Sequence, residues 1–249
     1  MISGASSGSI IATLFAEGYS SDEIYKIFKM YASQIGYFEY KNIFKLIGGI
    51  IFKRKIVVTG LSSGDKISKY VKEFSKRKNI LNISDIKFPL FISSVNLENG
   101  DTYIFTSQEA KKDNKVKYTN KITISDAVRA SCSYPGIFEP CVIYGNSFVD
   151  GGIRENVPWR ALKQYGADKV ISVFFSQRGE KECCNNMLNV IDCSFSYLMD
   201  ELKEYELGKG TDFIDIETGK INLLDSSKID ELCEAGYINA KNYINKNKL

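Results

Sequence analysis

The opening stretch, MISGASSGSIIATLFAEG over residues 1–18, sets a glycine- and serine-rich turn between a short extended start and an apolar helix. Ile10, Ile11, Leu14 and Phe15 recur at helical spacing, which predicts a helix over residues 8–17 with Gly18 as its C-terminal stop. Gly4-Ala5-Ser6-Ser7-Gly8 fits the pattern G-x-S-x-G. A serine nucleophile needs a sharp strand-to-helix turn to project from, and the flanking Gly4 and Gly8 let neighbouring backbone close in. The N–H of the next residue, Ser7, then faces any oxyanion forming at the helix N-terminus. A loop that only caps a helix or holds a phosphate meets the same pattern.

Working outward, the composition narrows the chemistry. The 249 residues include no histidine, so a Ser-His-Asp or Cys-His hydrolase is excluded, and a zinc hydrolase loses its usual ligand. A base for Ser6 must come from another residue type. Asp150-Gly151-Gly152, after the extended NSFV of residues 146–149, supplies a carboxylate. Asp-Gly is also a common turn. A carboxylate near its ordinary pKa is a poor base at neutral pH, so Asp150 would need partial burial and hydrogen-bond reach to Ser6.

The remaining sequence alternates helices and strands. Helices are expected over 21–31, 61–78, 158–165, 187–206 and 228–244, and LFISSVN and TYIFTS around ENGD read as a hairpin. ISDAVRASCS reads as a short helix capped by Ser125 and stopped by Pro135, and DKVISVFF as a buried strand. With 44% apolar residues and no repeats, low-complexity stretches or Pro-rich linkers, one α/β domain over residues 1–249 is expected.

Lys and Arg number 33 against 30 Asp and Glu, a net +3 too small to imply nucleic-acid binding. Residues 41–78 nonetheless carry eleven basic side chains against Asp65 and Glu73. Within residues 37–55, Tyr37, Phe38, Tyr40, Phe44, Leu46, Ile47 and Ile50–Phe52 mix with Lys41, Lys45, Lys53, Arg54 and Lys55. A helix packed on the core with a solvated basic face accounts for this, as does a cap (about 37–78) resting on anionic lipid. The six cysteines form no C-x-x-C pair, so reduced thiols are expected and no metal site. No apolar run reaches the ~18 residues that span a bilayer. The expectation is a cytoplasmic protein with peripheral membrane contact.

Four ordered blocks resemble the patatin-like phospholipase family: GASSGS at the front, AVRASCSYPGIFEP (127–140), FVDGGIRENVP (148–158) and the following ALKQYGADKVISV. The chain departs from the family's GTSAGA turn at Ala5 and Ser7. The resemblance implies a three-layer α/β/α fold with a mostly parallel central sheet. It further implies Ser6 as nucleophile and Asp150 as general base of a lipid or phospholipid acyl hydrolase that needs no cofactor. Arg129 and Asn156 match family positions and are expected to brace the two loops. Pro135, Phe138 and Pro140 read as structural, Trp159 and Cys132 as core. Family members carry a glycine-rich oxyanion loop upstream of the serine, which this sequence lacks. Met1 is therefore expected to be a truncated or mis-assigned start. Since one oxyanion donor contributes about 2.7–4 kcal/mol, the chain is expected to be feeble, or a non-catalytic membrane- or partner-binding remnant.

Overall fold

The computed structural model describes residues 1–35, 39–53, 58–177, 187–206, 212–218 and 226–247. The strands are β1 (Ile2–Gly4), β2 (Gly60–Ser62), β3 (Leu90–Asn96), β4 (Thr102–Thr106), β5 (Val116–Thr119), β6 (Gly136–Phe138), β7 (Cys141–Ile143), β8 (Asn146–Asp150), β9 (Ile171–Gln177) and β10 (Asp212–Thr218). The helices are α1 (Ser7–Ala16), α2 (Ser21–Tyr31), α3 (Tyr40–Lys53), α4 (Asp65–Arg77), α5 (Ile124–Ser131), α6 (Trp159–Gln164), α7 (Met187–Glu206) and α8 (Ile229–Asn247).

A six-stranded sheet runs β5-β4-β3-β8-β7, with β1 also on β3. It is mixed: β1 and β5 pair in parallel with β3 and β4, while the β3–β4, β3–β8 and β7–β8 pairs are antiparallel. The tight connections that join β3 to β4 and β7 to β8 reverse the chain, which forces those pairs antiparallel. Every residue of β3 is buried, as a central strand covered on both faces requires. Leu90 and Ile92 pack with Ala12 of α1, Ile67 and Val71 of α4, and Ala127, Val128 and Ala130 of α5. Phe91, on the opposite face, packs with Ile104 and with Ala161 and Leu162 of α6. Helices thus cover both sides, giving the three-layer α/β/α arrangement.

One edge of β3 is taken by β4. The other is shared by two strands arriving from opposite ends. β1 runs parallel to β3 and stops with Gly4 opposite Ile92, and β8 runs antiparallel and stops with Asp150 opposite Ser94. The two strand ends therefore meet head-on across two residues of β3, about 7 Å at the usual strand rise.

Several local expectations change. The short helix is capped by Thr123, whose hydroxyl accepts from Asp126 N–H, not by Ser125. Thr123 is held there by a bridge to Asn82, which the local sequence does not reveal. The helix expected over 61–78 starts only at Asp65, because Gly60–Ser62 pair with β6 and Gly64 turns at φ 68°. β9 is not wholly buried: Ile171, Val173 and Phe175 are exposed while Ser172 and Phe174 face inward. Cys132, Cys141 and Cys233 are free thiols, while Cys193 is disulfide-bonded and Cys183 and Cys184 lie outside the described residues.

Candidate active site

Ser6 sits between β1 and α1 with φ 51° and ψ −131°, a left-handed backbone that an L-residue adopts only under constraint. The turn needs glycine at one flank only. A Cβ on Gly4 would lie 2.4 Å from the Gly8 carbonyl oxygen, whereas a Cβ on Gly8 would meet nothing within 4 Å. Gly4 thus allows α1 to start directly against the end of β1, and Gly8 has no such duty.

The last turn of α5 supports Ser6 from behind. Ser6 N–H donates to Ser131 Oγ at 3.0 Å. Ser6 C=O accepts from Ser9 N–H at 2.9 Å, Ser9 Oγ at 2.6 Å and the Cys132 thiol at 3.2 Å. Burial pushes the Cys132 thiol up to about 12, so it remains an S–H donor. Ser7 is exposed, and as the first residue of α1 its N–H has no acceptor within the helix.

Asp150 ends β8 and is fully buried. Its Oδ1 accepts from Gly152 N–H at 2.8 Å, while Oδ2 is buried without a hydrogen bond of its own. Burial is the largest influence on this carboxyl and lifts it from 3.8 to about 6. The Ser6 hydroxyl and the Gly152 N–H act next, both lowering it. The Ser6 hydroxyl is thus close enough to act on the carboxyl, at the junction where β1 and β8 meet. Gly151 is required here, since its Cβ would lie 2.2 Å from Ser93 Oγ and 2.4 Å from Ser93 O. Gly152 is less constrained, with Met199 Cε at 3.0 Å and Asn156 Oδ1 at 3.3 Å from a Cβ placed there.

Ser6, Ser7, Asp150, Gly151 and Gly152 thus gather where β1 and β8 meet. Arg129 is buried on α5, and its guanidinium donates to Ser63 O, to Ser133 Oγ at 2.7 Å and to Glu139 O at 2.7 Å. Ser133 O in turn accepts Asp150 N–H at 3.1 Å. Arg129 therefore reaches the Asp150 loop through Ser133, and Asn156 lies against Gly152. Residues 131–133 hold the backbones of both Ser6 and Asp150. Their signal in the sequence is three small residues, Ser131, Cys132 and Ser133, at the end of a largely buried helix.

Two nearby features lie apart from this junction. Glu17, at the end of α1, is buried with Oε1 accepting from Ser75 Oγ at 2.5 Å and Oε2 without a partner. Burial lifts it from 4.5 to about 7, against smaller lowering by Ser75 and Lys78. An apolar cavity of about 50 Å³ lies between α1, α2 and α4, lined by Ile10, Leu14, Phe28, Tyr70 and Phe74 among others. That space admits only a few water-sized groups, far less than a fatty acyl chain. Among the described residues, no group of three His, Cys, Asp or Glu could hold a metal ion, and no helix is long and apolar enough to cross a membrane. In α3, Tyr40 and Phe44 are 82% and 72% exposed, beside exposed Lys41 and Lys45. Tyr37, Phe38, Arg54 and Lys55 lie outside the described residues.

A three-layer α/β/α fold with a G-x-S-x-G turn leading into a helix defines a class of hydrolase-type proteins. The patatin-like phospholipase family model matches residues 1–163, and the chain belongs to that family of lipid hydrolases. Its relatives include the uncharacterized protein R571 of Acanthamoeba polyphaga mimivirus, 32% identical over 188 residues, covering 73% of this chain and 56% of that protein. The uncharacterized protein YqhO of Bacillus subtilis is 26% identical over 208 residues, 82% of this chain and 70% of its own. Lysophospholipase NTE1 of Eremothecium gossypii is 26% identical over 174 residues, 70% of this chain but 10% of that enzyme. The chain thus spans just over half of the viral relative and a tenth of the fungal one.

Proposed function

We propose that the chain hydrolyses an acyl ester of a phospholipid or related lipid, with Ser6 as nucleophile and Asp150 as base. Ser6 Oγ bonds to the acyl carbonyl carbon as its proton passes to Asp150. The carbonyl oxygen takes the negative charge, opposite the Ser7 N–H at the N-terminus of α1. The ester C–O bond then breaks, and Asp150 returns the proton to the departing alkoxide. Water, deprotonated by the same carboxylate, cleaves the acyl-enzyme and restores Ser6. The observation that carries this reading is the meeting of a strained, solvent-reachable serine with a buried carboxyl raised to about 6. Such a carboxyl is still ionised at neutral pH yet about a hundredfold more basic than an ordinary aspartate.

A fluorophosphonate probe tests it. Labelling of the purified protein that disappears in Ser6→Ala supports the reading, and labelling that survives the substitution would sink it. Exposed Tyr40 and Phe44 beside Lys41 and Lys45 support peripheral contact with anionic lipid, each basic residue near the surface contributing about 1 kcal/mol. Co-sedimentation with liposomes is expected to rise with anionic lipid and fall with salt. Indifference to both would leave α3 without a membrane role.

A further inference from the structure

Ser6 holds a strained backbone conformation at φ 51°, and such strain persists only where surrounding structure over-determines it. Its carbonyl is held by three donors, two of them from Ser9 on the same turn. Its N–H has one acceptor, and that comes from far along the chain: Ser131 Oγ, in a residue with no exposed surface. Ser131 closes α5. Two residues on, Ser133 O accepts the Asp150 N–H. One helix end therefore grips the backbone of both members of the proposed dyad.

We propose that Ser131 is the positioning residue of this site: its hydroxyl fixes the Ser6 N–H, and so sets where the Ser6 side chain points relative to Asp150. The inference rests on the dyad reading above. It has a second consequence. Because the Ser6 N–H is already engaged, it is lost to the oxyanion, and Ser7 N–H is the donor this turn offers. Cys132 adds to the same clamp from the carbonyl side, through a thiol that burial keeps protonated.

The experiment compares wild type, Ser131→Ala and Ser131→Cys, the last preserving bulk while offering only a weak acceptor. Two measurements are made on each. Amide hydrogen exchange, read at Ser6 and Ser7 separately, needs no turnover. Hydrolysis of a p-nitrophenyl acyl ester gives kcat and KM.

The expected result is a protected Ser6 amide in the wild type that exchanges at least tenfold faster in Ser131→Ala and by an intermediate factor in Ser131→Cys. In parallel, kcat falls roughly ten- to hundredfold with KM nearly unchanged, the mark of a misplaced reacting group. A Ser6 amide whose exchange is the same in all three proteins overturns the proposal, as does an unchanged kcat where the wild type turns over. If Ser131→Ala does not fold, Ser131→Cys carries the comparison. Failure of the dyad reading shows separately, as a wild type no more active than Ser6→Ala, and the exchange rates then decide the clamp alone.

Discussion

Asp150 and Glu17 are both buried carboxyls, each with one oxygen hydrogen-bonded and the other without a partner. Burial raises both, to about 6 and about 7. Their surroundings differ. Asp150 ends a strand, receives a backbone N–H and faces a serine held on a strained, half-open turn. Glu17 follows a helix and faces the helical Ser75 within the packing of α1 against α4. A displaced pKa is therefore a product of burial, and its usefulness depends on what lies across from it.

Substitution of each acid should separate the pair most sharply. Asp150→Asn is expected to lower kcat by about 10³-fold, within the range for loss of a general base, while Glu17→Gln leaves it within about twofold. Comparable losses in both would erase the distinction. The rate should also follow the ionised form of Asp150, rising with pH through about 6 and levelling above it.

Stability should register burial in both acids, and Glu17 shows it apart from the proposed catalysis. Glu17 has a folded-state pKa above its ordinary 4.5, so the folded form binds its proton more tightly. Its contribution is intact below about 4.5 and is lost as pH rises to about 7. Urea titrations from pH 4 to 8 should show that decline in the wild type, reduced by about 2–3 kcal/mol in Glu17→Gln. An unaltered pH profile would mean that Glu17 titrates normally.

The two flanking glycines offer a third test on a smaller scale. Gly4→Ala drives a methyl into the Gly8 carbonyl and should destabilise the fold by about 1–3 kcal/mol, while thermal melting of Gly8→Ala should be unchanged or raised by up to about 1 kcal/mol. Equal effects would place the close approach elsewhere.

These contrasts also mark what the sequence can disclose. The span of α2 from Ser21 to Tyr31 and the β3–β4 hairpin are local patterns, and both occur at the expected residues, with Ser20 and Glu23 forming the capping box of α2. Ser6 and Asp150 stand out because G-x-S-x-G and Asp-Gly-Gly are short and chemically distinctive, and the structure brings them together. Thr123 and Ser125 are equally good caps by composition, and only the bridge to Asn82 selects between them. Ser131 and Ser133 are ordinary serines until the fold sets them behind the two loops. Gly8 shows the converse, a motif letter whose side-chain space is empty.

The sharing of one edge of β3 by β1 and β8 has a consequence for the life of the chain during synthesis. Ser6 is made 125 residues before its N–H partner Ser131. Contacts so distant in sequence form late in folding, after the loop between them has closed. Until the second half emerges and β8 docks opposite the end of β1, the serine has neither its clamp nor its carboxyl. A nascent or half-folded copy thus lacks the assembled junction of Ser6 and Asp150, which arrives only with the finished sheet.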